Sequence, residues 1–338
     1  MNPHVGRVAG VMRAVVATRA GGPEVLSYDE VPDPTPGAGE ALVRVAAAGV
    51  NFIDTYRRSG VYPMAYPHVV GSEGAGVVEA VGDGVTRFAA GDRVAWSAGP
   101  GSYAELVVVR EDDLLAVPDG VPDETAAALP LQGMTAHYLV ASTFPVQPGS
   151  TVLVHAAAGG VGLLLTQLAT RRGGRVIATV GTAEKEALAR AAGATDVVRY
   201  RELDDLRTEL PAIVRDLTGG RGVDAVFDGV GRDTFEASLA SLAPRGVLAL
   251  FGASSGPVPP VDPQHLSAAG SVFLTRPTLV HHVADRTELE WRGAEVFGAV
   301  ADGSLDVRVG ARFPLSAAAD AHRALESRAT TGKVLLLP

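Results

Sequence analysis

The sequence predicts a two-domain α/β protein. An antiparallel β domain comes first, a doubly wound parallel sheet of six strands follows, and the end of the chain returns to the first domain. Three observations carry this. The 338 residues allow roughly two cores at about 150 residues per domain. Short β-branched runs broken by Gly and Pro turns fill the first part of the chain. From Ser150 onward continuous apolar runs alternate with amphipathic stretches, the pattern of parallel strands covered on both faces.

The elements follow in order. Residues 1–11 precede a second methionine, Met12, and read as a loose extension without a targeting signal. Strand-like runs occupy Arg13 to Thr18, Ala41 to Val45, Gly74 to Val81, Arg93 to Trp96 and Ser102 to Val109. Gly82-Asp83-Gly84, Gly91-Asp92 and Pro118-Asp119-Gly120 supply the turns. After Pro122 a helix with an acidic first turn is expected, then a second from about Gly133 to Ser142, which places the domain boundary at 132/133. The parallel strands are Val152 to His155, Val176 to Val180, Asp196 to Tyr200, Val223 to Asp228, Gly246 to Phe251 and Ser271 to Thr275. Helices such as Leu163 to Arg172 and Ala183 to Ala192 separate them. A helix over Asp285 to Asp302, a β-like segment, a last helix and the strand Lys333 to Leu337 make up residues 278–338. That tail is too short to fold alone and is assigned to the first domain, leaving 133–277 as the second.

Composition narrows the function. Hydrophobic residues at 47% and charged residues at 20% exclude disordered and fibrous classes. With 29 basic against 38 acidic residues the net charge is −9, which repels phosphate backbones and argues against a nucleic-acid partner. The absence of cysteine removes disulfides, thiolate nucleophiles, iron–sulfur clusters and cysteine-built zinc sites. No apolar run reaches the ~18 residues of a membrane span, so a cytoplasmic location without a membrane partner is expected. Only Lys185 and Lys333 are lysines, which makes the position of each worth following.

The strongest local signal is the strand Val152 to His155 running into Ala156-Ala157-Ala158-Gly159-Gly160-Val161-Gly162 and a helix. Small residues let the backbone and the positive helix N-terminus approach a pyrophosphate. Ala157 takes the first position of the G-x-G-x-x-G pattern, Gly159 and Gly162 the others. The second strand ends Thr179-Val180-Gly181-Thr182 with no acid at its tip, and Lys185 follows on the first turn of the next helix. An acid there would bind both ribose hydroxyls and repel a 2′-phosphate; its absence, with a nearby ammonium, favours NADPH over NADH. The alternative for Lys185 is pairing with Glu184 or Glu186 on a solvated helix face. Tyr200, at the end of the third strand, suits a place beside the adenosine ribose phosphate or a partly buried core position.

These residues resemble the medium-chain dehydrogenase/reductase superfamily, and within it the zinc-independent NADPH:quinone oxidoreductases, the zeta-crystallin-like group. The resemblance rests on Asn51 to Tyr62, Gly71 to Val78, His155 to Gly162, Gly229 to Thr234 and Glu326 to Thr330. It implies a GroES-like catalytic domain, a Rossmann domain that binds NADPH, and catalysis in the interdomain cleft. It also explains what is missing. Zinc-dependent relatives carry Cys where this chain has Asn51 and His where it has Ser72, so no metal is expected. His281-His282 lie in a polar helical region and read as solvated.

The resemblance implies that Asn51, Tyr56 and Tyr62 line the substrate pocket, with Tyr62 the proton donor if one is needed. Thr135, Tyr138, Phe251 and Ala253 fall on the nicotinamide side. Ala158, Gly159, Gly160 and Val161 belong to the phosphate turn; Gly181, Thr182, Lys185 and Tyr200 belong to the adenosine end, and Arg328 lies near the cofactor phosphates. A quinone needs no Lewis acid, because it is already conjugated and its product is aromatic; holding it against the nicotinamide supplies most of the catalysis. The alternatives are a reductase of activated C=C bonds (enals, enones or enoyl thioesters) and a non-catalytic nucleotide-binding protein. A homodimer joined through the edge strand Ser271 to Thr275 is expected from the family.

Overall fold

The computed structural model describes residues 10–338; the extension expected over residues 1–11 falls, up to residue 9, outside them. Two compact units form, one running to Leu131 and resuming over Val309–Pro338, the other spanning Gln132–Arg308.

The first unit begins with β1 (Val11–Ala17), β2 (Leu26–Pro32), β3 (Glu40–Val50), α1 (Phe52–Ser59), β4 (His68–Val69), β5 (Glu73–Val81), β6 (Arg93–Trp96), β7 (Leu106–Arg110), β8 (Leu114–Ala116) and α2 (Asp123–Ala128). Pro130 then opens α3 (Pro130–Tyr138), a position where its missing N–H costs nothing. The second unit continues through β9 (Thr151–Val154), α4 (Gly160–Arg171), β10 (Arg175–Val180), α5 (Ala183–Ala191), β11 (Asp196–Arg199), α6 (Leu206–Leu217), β12 (Val223–Asp228), α7 (Phe235–Ser241), β13 (Leu242–Leu250), α8 (Pro263–Ala268), β14 (Phe273–Thr275), α9 (Leu279–His282) and α10 (Arg286–Ala301). The chain closes with β15 (Val309–Pro314), α11 (Ala318–Glu326) and β16 (Lys333–Leu337) in the first unit.

Six parallel strands in the order β11-β10-β9-β12-β13-β14 form the second unit's sheet. This is the doubly wound order, reversing between β9 and β12, and in such sheets ligands bind outside the carboxyl ends of the strands at the reversal. The near-unbroken burial of β9, β10 and β12 is what the continuous apolar runs required. In the first unit a three-stranded sheet, β2-β1-β4, accompanies a larger one, β15-β16-β3-β5-β6-β8, with β7 also on β3. That larger sheet is antiparallel except for the parallel pair β15–β16.

Two sequence expectations need revision. The segment 278–308, assigned to the first domain, packs into the second unit. Its α10 carries Arg292, 0% exposed, which donates to the His282 carbonyl at 2.6 Å, to His137 Nδ1 at 3.2 Å and to Ser142 at 3.1 Å. A charge buried this deeply must satisfy its donors within the protein, and here they lock α10 onto α3 and the turn after it. The second revision concerns the histidine pair: His281 is exposed, but the His282 ring stacks flat on Tyr138, centroids 4.2 Å apart.

In the first unit a buried polar chain ties α1 to α11. Arg58 pairs with Glu326 at 2.7 Å and donates to His322 Nδ1 at 2.9 Å. A guanidinium can only donate, so Nδ1 is the acceptor and the proton of the neutral ring lies on Nε2. That Nε2–H meets Tyr103 Oη at 3.2 Å, and the Tyr103 hydroxyl donates to Asp54 at 3.1 Å. Burial, reinforced by the Arg58 charge, pushes His322 down to about 3. Burial also lowers His137, His155 and His282.

The sign of the pH dependence follows. A histidine depressed in the folded state protonates first in the unfolded chain, near pH ~6.5, so its cost is absent at neutral pH and grows as pH falls from there. His322 alone should remove about 1.4 kcal/mol of stability per pH unit between ~6 and ~3. Burial raises the Asp54 carboxyl, and its earlier protonation in the fold opposes this at the acid end. Urea unfolding should show stability falling below pH ~6.5, with a shallower slope in His322→Gln, which keeps one acceptor and one donor. An unchanged slope would exclude His322 as a source.

Candidate active site

The site residues of the second unit gather at the carboxyl ends of its strands. Past β9, Ala156 adopts φ +51° and Gly159 caps α4. A Cβ on Gly162 would lie 2.4 Å from the Ala156 carbonyl oxygen and 2.7 Å from Ala157 Cα, so the helix packs this closely on the turn only with glycine there. Ala158, Gly159, Gly160 and Val161 thus form a turn of mostly small residues at the start of α4. The side chain of Gln132, which sequence reasoning did not single out, lies over Gly160, 1.9 Å from where a Cβ would be.

At the end of β10 the predicted adenosine-end residues come together. Thr182 caps α5, accepting from the Lys185 N–H at 3.3 Å. A Cβ on Gly181 would lie 2.9 Å from Tyr200 Oη and 3.3 Å from Arg201 Nε, so a phenol and a guanidinium pack directly against the bare Gly181 backbone. Burial, then the neighbouring Arg201 charge, lowers the Lys185 ammonium. Arg201 was missed in the sequence, although it directly follows Tyr200. Of the two carboxylates considered for Lys185, Glu186 pairs with Arg190 at 2.8 Å and Arg199 at 3.2 Å, while the Glu184 charge acts on the Lys185 ammonium and raises it against the effect of burial.

Asp228, at the end of β12, organises the next segment. Fully buried, it accepts from the N–H groups of Val230 and Gly231 at 2.8 and 3.0 Å, and from the hydroxyls of Thr234 and Ser238, each at 2.7 Å to Oδ2. Ser238 spends its one proton on Asp228, so the contact to His155 Nε2 at 3.0 Å is donated by the ring, while Thr179 meets Nδ1 at 2.9 Å. A serine, a histidine and an aspartate are adjacent here, but the serine proton points to the carboxylate and not to the imidazole, so this is a brace and not a nucleophile. Onto that braced turn folds the segment after β13. Phe251 N–H bonds to the Asp228 carbonyl at 2.9 Å, and the Phe251 ring packs over Gly229. A Cβ on Gly252 would lie 2.4 Å from the Gly229 oxygen. Ala253 is held against Gly231, 3.1 Å from that glycine's virtual Cβ. Neither Asp228 nor His155 had been more than a strand end in the sequence. On α3, Thr135 is buried and Tyr138 lies in its stack with His282.

The first unit holds the substrate-side candidates. Tyr56 and Tyr62 meet edge to face, centroids 5.6 Å apart, and the Tyr62 N–H bonds to the Tyr56 carbonyl at 3.1 Å. Tyr62 is 41% exposed, so the residue is only partly covered by its contact with Tyr56. Asn51, at the N-terminus of α1, is buried. Its side chain turns away from the helix: Nδ2 donates to Glu73 at 2.8 Å and to the Gly49 carbonyl at 3.3 Å, while Oδ1 accepts from Lys333 Nζ at 2.8 Å. Asp54 takes over the cap, accepting the Asn51 N–H at 3.0 Å, and also accepts from Ser72 at 2.7 Å. Lys333 also pairs directly with Glu73. Arg328 lies in the turn after α11 with φ +58°. Among the described residues no group of three or more His, Asp or Glu is placed to hold a metal ion, and no helix is long and apolar enough to cross a membrane.

Comparison with known proteins agrees with this architecture. Residues 37–119 match the alcohol dehydrogenase GroES-like domain, and residues 160–294 match the zinc-binding dehydrogenase family. A quinone oxidoreductase of Pseudomonas aeruginosa is 47% identical over 320 residues, 94% of this chain and 97% of that protein. A 2-haloacrylate reductase of a Burkholderia species is 41% identical over 336 residues, 97% of this chain and 99% of that one. A mycobacterial protein solved in complex with NADPH superposes with a TM-score of 0.94 at 55% identity, covering 97% of this chain and all of its own. Similarity of this extent, on a sheet of this order and a turn of this shape, shows that the chain belongs to the quinone oxidoreductase group of the medium-chain dehydrogenase/reductase superfamily.

Proposed function

We propose that the chain reduces quinones with NADPH and without a metal ion. The observation that carries the cofactor assignment is the cluster at the end of β10, where Tyr200 and Arg201 pack against Gly181, the Lys185 ammonium feels the Arg201 charge, and no acid stands at the strand tip. Two cationic side chains and a phenol, with no carboxylate at the strand tip, fit a 2′-phosphate and disfavour the unphosphorylated ribose. The turn Ala158 to Val161 fits the pyrophosphate. Phe251, Ala253, Thr135 and Tyr138 belong to the nicotinamide end, and Arg328 to the phosphates. The bound dinucleotide supplies a hydride.

The chain's own residues do the rest. A quinone gains a hydride and a proton to become a hydroquinone. Tyr56 and Tyr62 offer the flat ring an aromatic edge, and the Tyr62 hydroxyl is the donor for the developing quinolate oxygen. Asn51 is a support and not a donor to substrate, since both of its amide protons are already engaged. The similarity to a 2-haloacrylate reductase favours a second reading, reduction of an activated C=C bond, in which Tyr62 would protonate carbon. The exposed edge strand β14, with Phe273 62% exposed, supports a homodimer joined edge to edge.

Initial rates of NADPH and NADH oxidation against quinones, 2-enals and crotonyl-CoA, with EDTA present, should show rapid NADPH-dependent quinone reduction. Turnover confined to enals or thioesters would establish the second reading instead. Lys185→Ala and Arg201→Ala should each raise the NADPH Michaelis constant about ten- to a hundredfold, as expected for a charged hydrogen bond to phosphate, and leave NADH nearly unaffected. Equal effects on both cofactors would count against a phosphate role for the two cations. Light scattering should give twice the chain mass; a monomer would remove the dimer.

A further inference from the structure

We propose that Lys333 is a positioning residue of the reductase site, holding Glu73 so that one carboxylate oxygen orients Asn51 and the other anchors the first turn of α3. The proposal rests on the reading of these segments as the substrate and nicotinamide sides.

Strand register brings the three side chains together. Gly49 on β3 pairs with Glu73 on β5, and Val50 pairs with Val334 on β16, so Asn51 and Lys333 are next in line. Lys333 and Glu73 are 1% and 0% exposed. Glu73 Oε2 receives both Lys333 Nζ and Asn51 Nδ2, while Oε1 accepts the Leu131 N–H at 2.7 Å. Leu131 belongs to the opening turn of α3, where the unpaired N–H groups and the dipole favour a carboxylate. Thr135 lies one turn further along the same helix. The two oxygens of one side chain therefore answer to two candidate site segments.

Lys333 is what makes that orientation unique. An ammonium has only donors and a carboxylate only acceptors, so together they dictate which end of the Asn51 amide faces which partner. Without Lys333 the Asn51 oxygen loses its donor and the carboxylate its countercharge, and both side chains gain other orientations. Stability alone is a poor reason to keep such a pair, since replacing both members of a buried ion pair with uncharged residues is often neutral or better, whereas removing one member is costly. The informative variant is therefore the double replacement Lys333→Met with Glu73→Gln, compared with Lys333→Met alone.

The chain has only two asparagines, Asn2 and Asn51, so protein labelled with [15N]asparagine shows two side-chain amide pairs, and Asn51→Asp assigns the one of interest. In the wild type the Asn51 pair should exchange slowly with solvent. In the double variant it should shift and exchange faster, and kcat with quinone should fall about tenfold or more while the NADPH dissociation constant stays within twofold. A folded double variant with an unmoved Asn51 signal and wild-type kcat would overturn the proposal, and so would rapid exchange of Asn51 in the wild type, which needs no variant to fold. Absence of quinone turnover in the wild type would remove the functional reading, while the exchange measurement would still decide whether the pair orients Asn51.

Discussion

A carboxylate taken out of water must find its donors in the protein, and three such carboxylates, two in the first unit and one in the second, hold the candidate site residues of their own units. Asp54, Glu73 and Asp228 are all essentially unexposed. Each meets the cost of burial by gathering backbone N–H groups and side-chain donors from separate elements. Asp54 fixes the start of α1 and binds Ser72 and Tyr103. Glu73 fixes Asn51 and the start of α3. Asp228 fixes the turn on which Phe251 and Ala253 lean. All three are engaged by the protein's own donors. They are rigid supports, the kind that keeps contact residues within the narrow tolerance that productive geometry demands.

The other recurring constraint is close approach of backbone to backbone. At Gly162 and Gly252 a single added carbon would run into main-chain atoms of the facing segment, which no rotamer change can relieve. At Gly181 the obstruction is instead Tyr200 and Arg201, side chains with some freedom to move. The first two glycines therefore serve the packing that forms the turns, and the third lets Tyr200 and Arg201 approach the backbone at the end of β10.

Much of this was legible in the sequence. Continuous apolar runs marked the parallel sheet because such strands are buried on both faces, and the small-residue turn marked the phosphate end because little else is compatible with a helix start packed so close to a strand. What the sequence hid were polar residues whose importance depends on burial. Arg292 reads as a surface arginine on an amphipathic helix, yet it is the residue that binds α10 to the second unit and moves the boundary away from residue 278. Asp228 and His155 look like ordinary strand ends until α7 closes over them. Arg201 is a further arginine in an arginine-rich chain, and only the turn after β11 brings it to Gly181.

The two lysines make the same point from the opposite direction. In a chain whose basic residues are otherwise all arginine, a lysine at position 333 answers to space. A Cβ on Gly49 would lie 2.7 Å from Lys333 Cε and 2.8 Å from Nζ, so the end of the lysine stem runs close against a bare glycine backbone. An ammonium is a compact charge with three donors that rotate to suit. Here Asn51 and Glu73 take two of those directions. At position 185 the setting is half-buried and beside Arg201, where a flexible stem can bring a point charge toward a phosphate while the guanidinium faces it from the next strand's end. One lysine thus closes a buried network and the other lies half-buried beside a second cation. The difference follows from burial and surroundings, which composition alone cannot express.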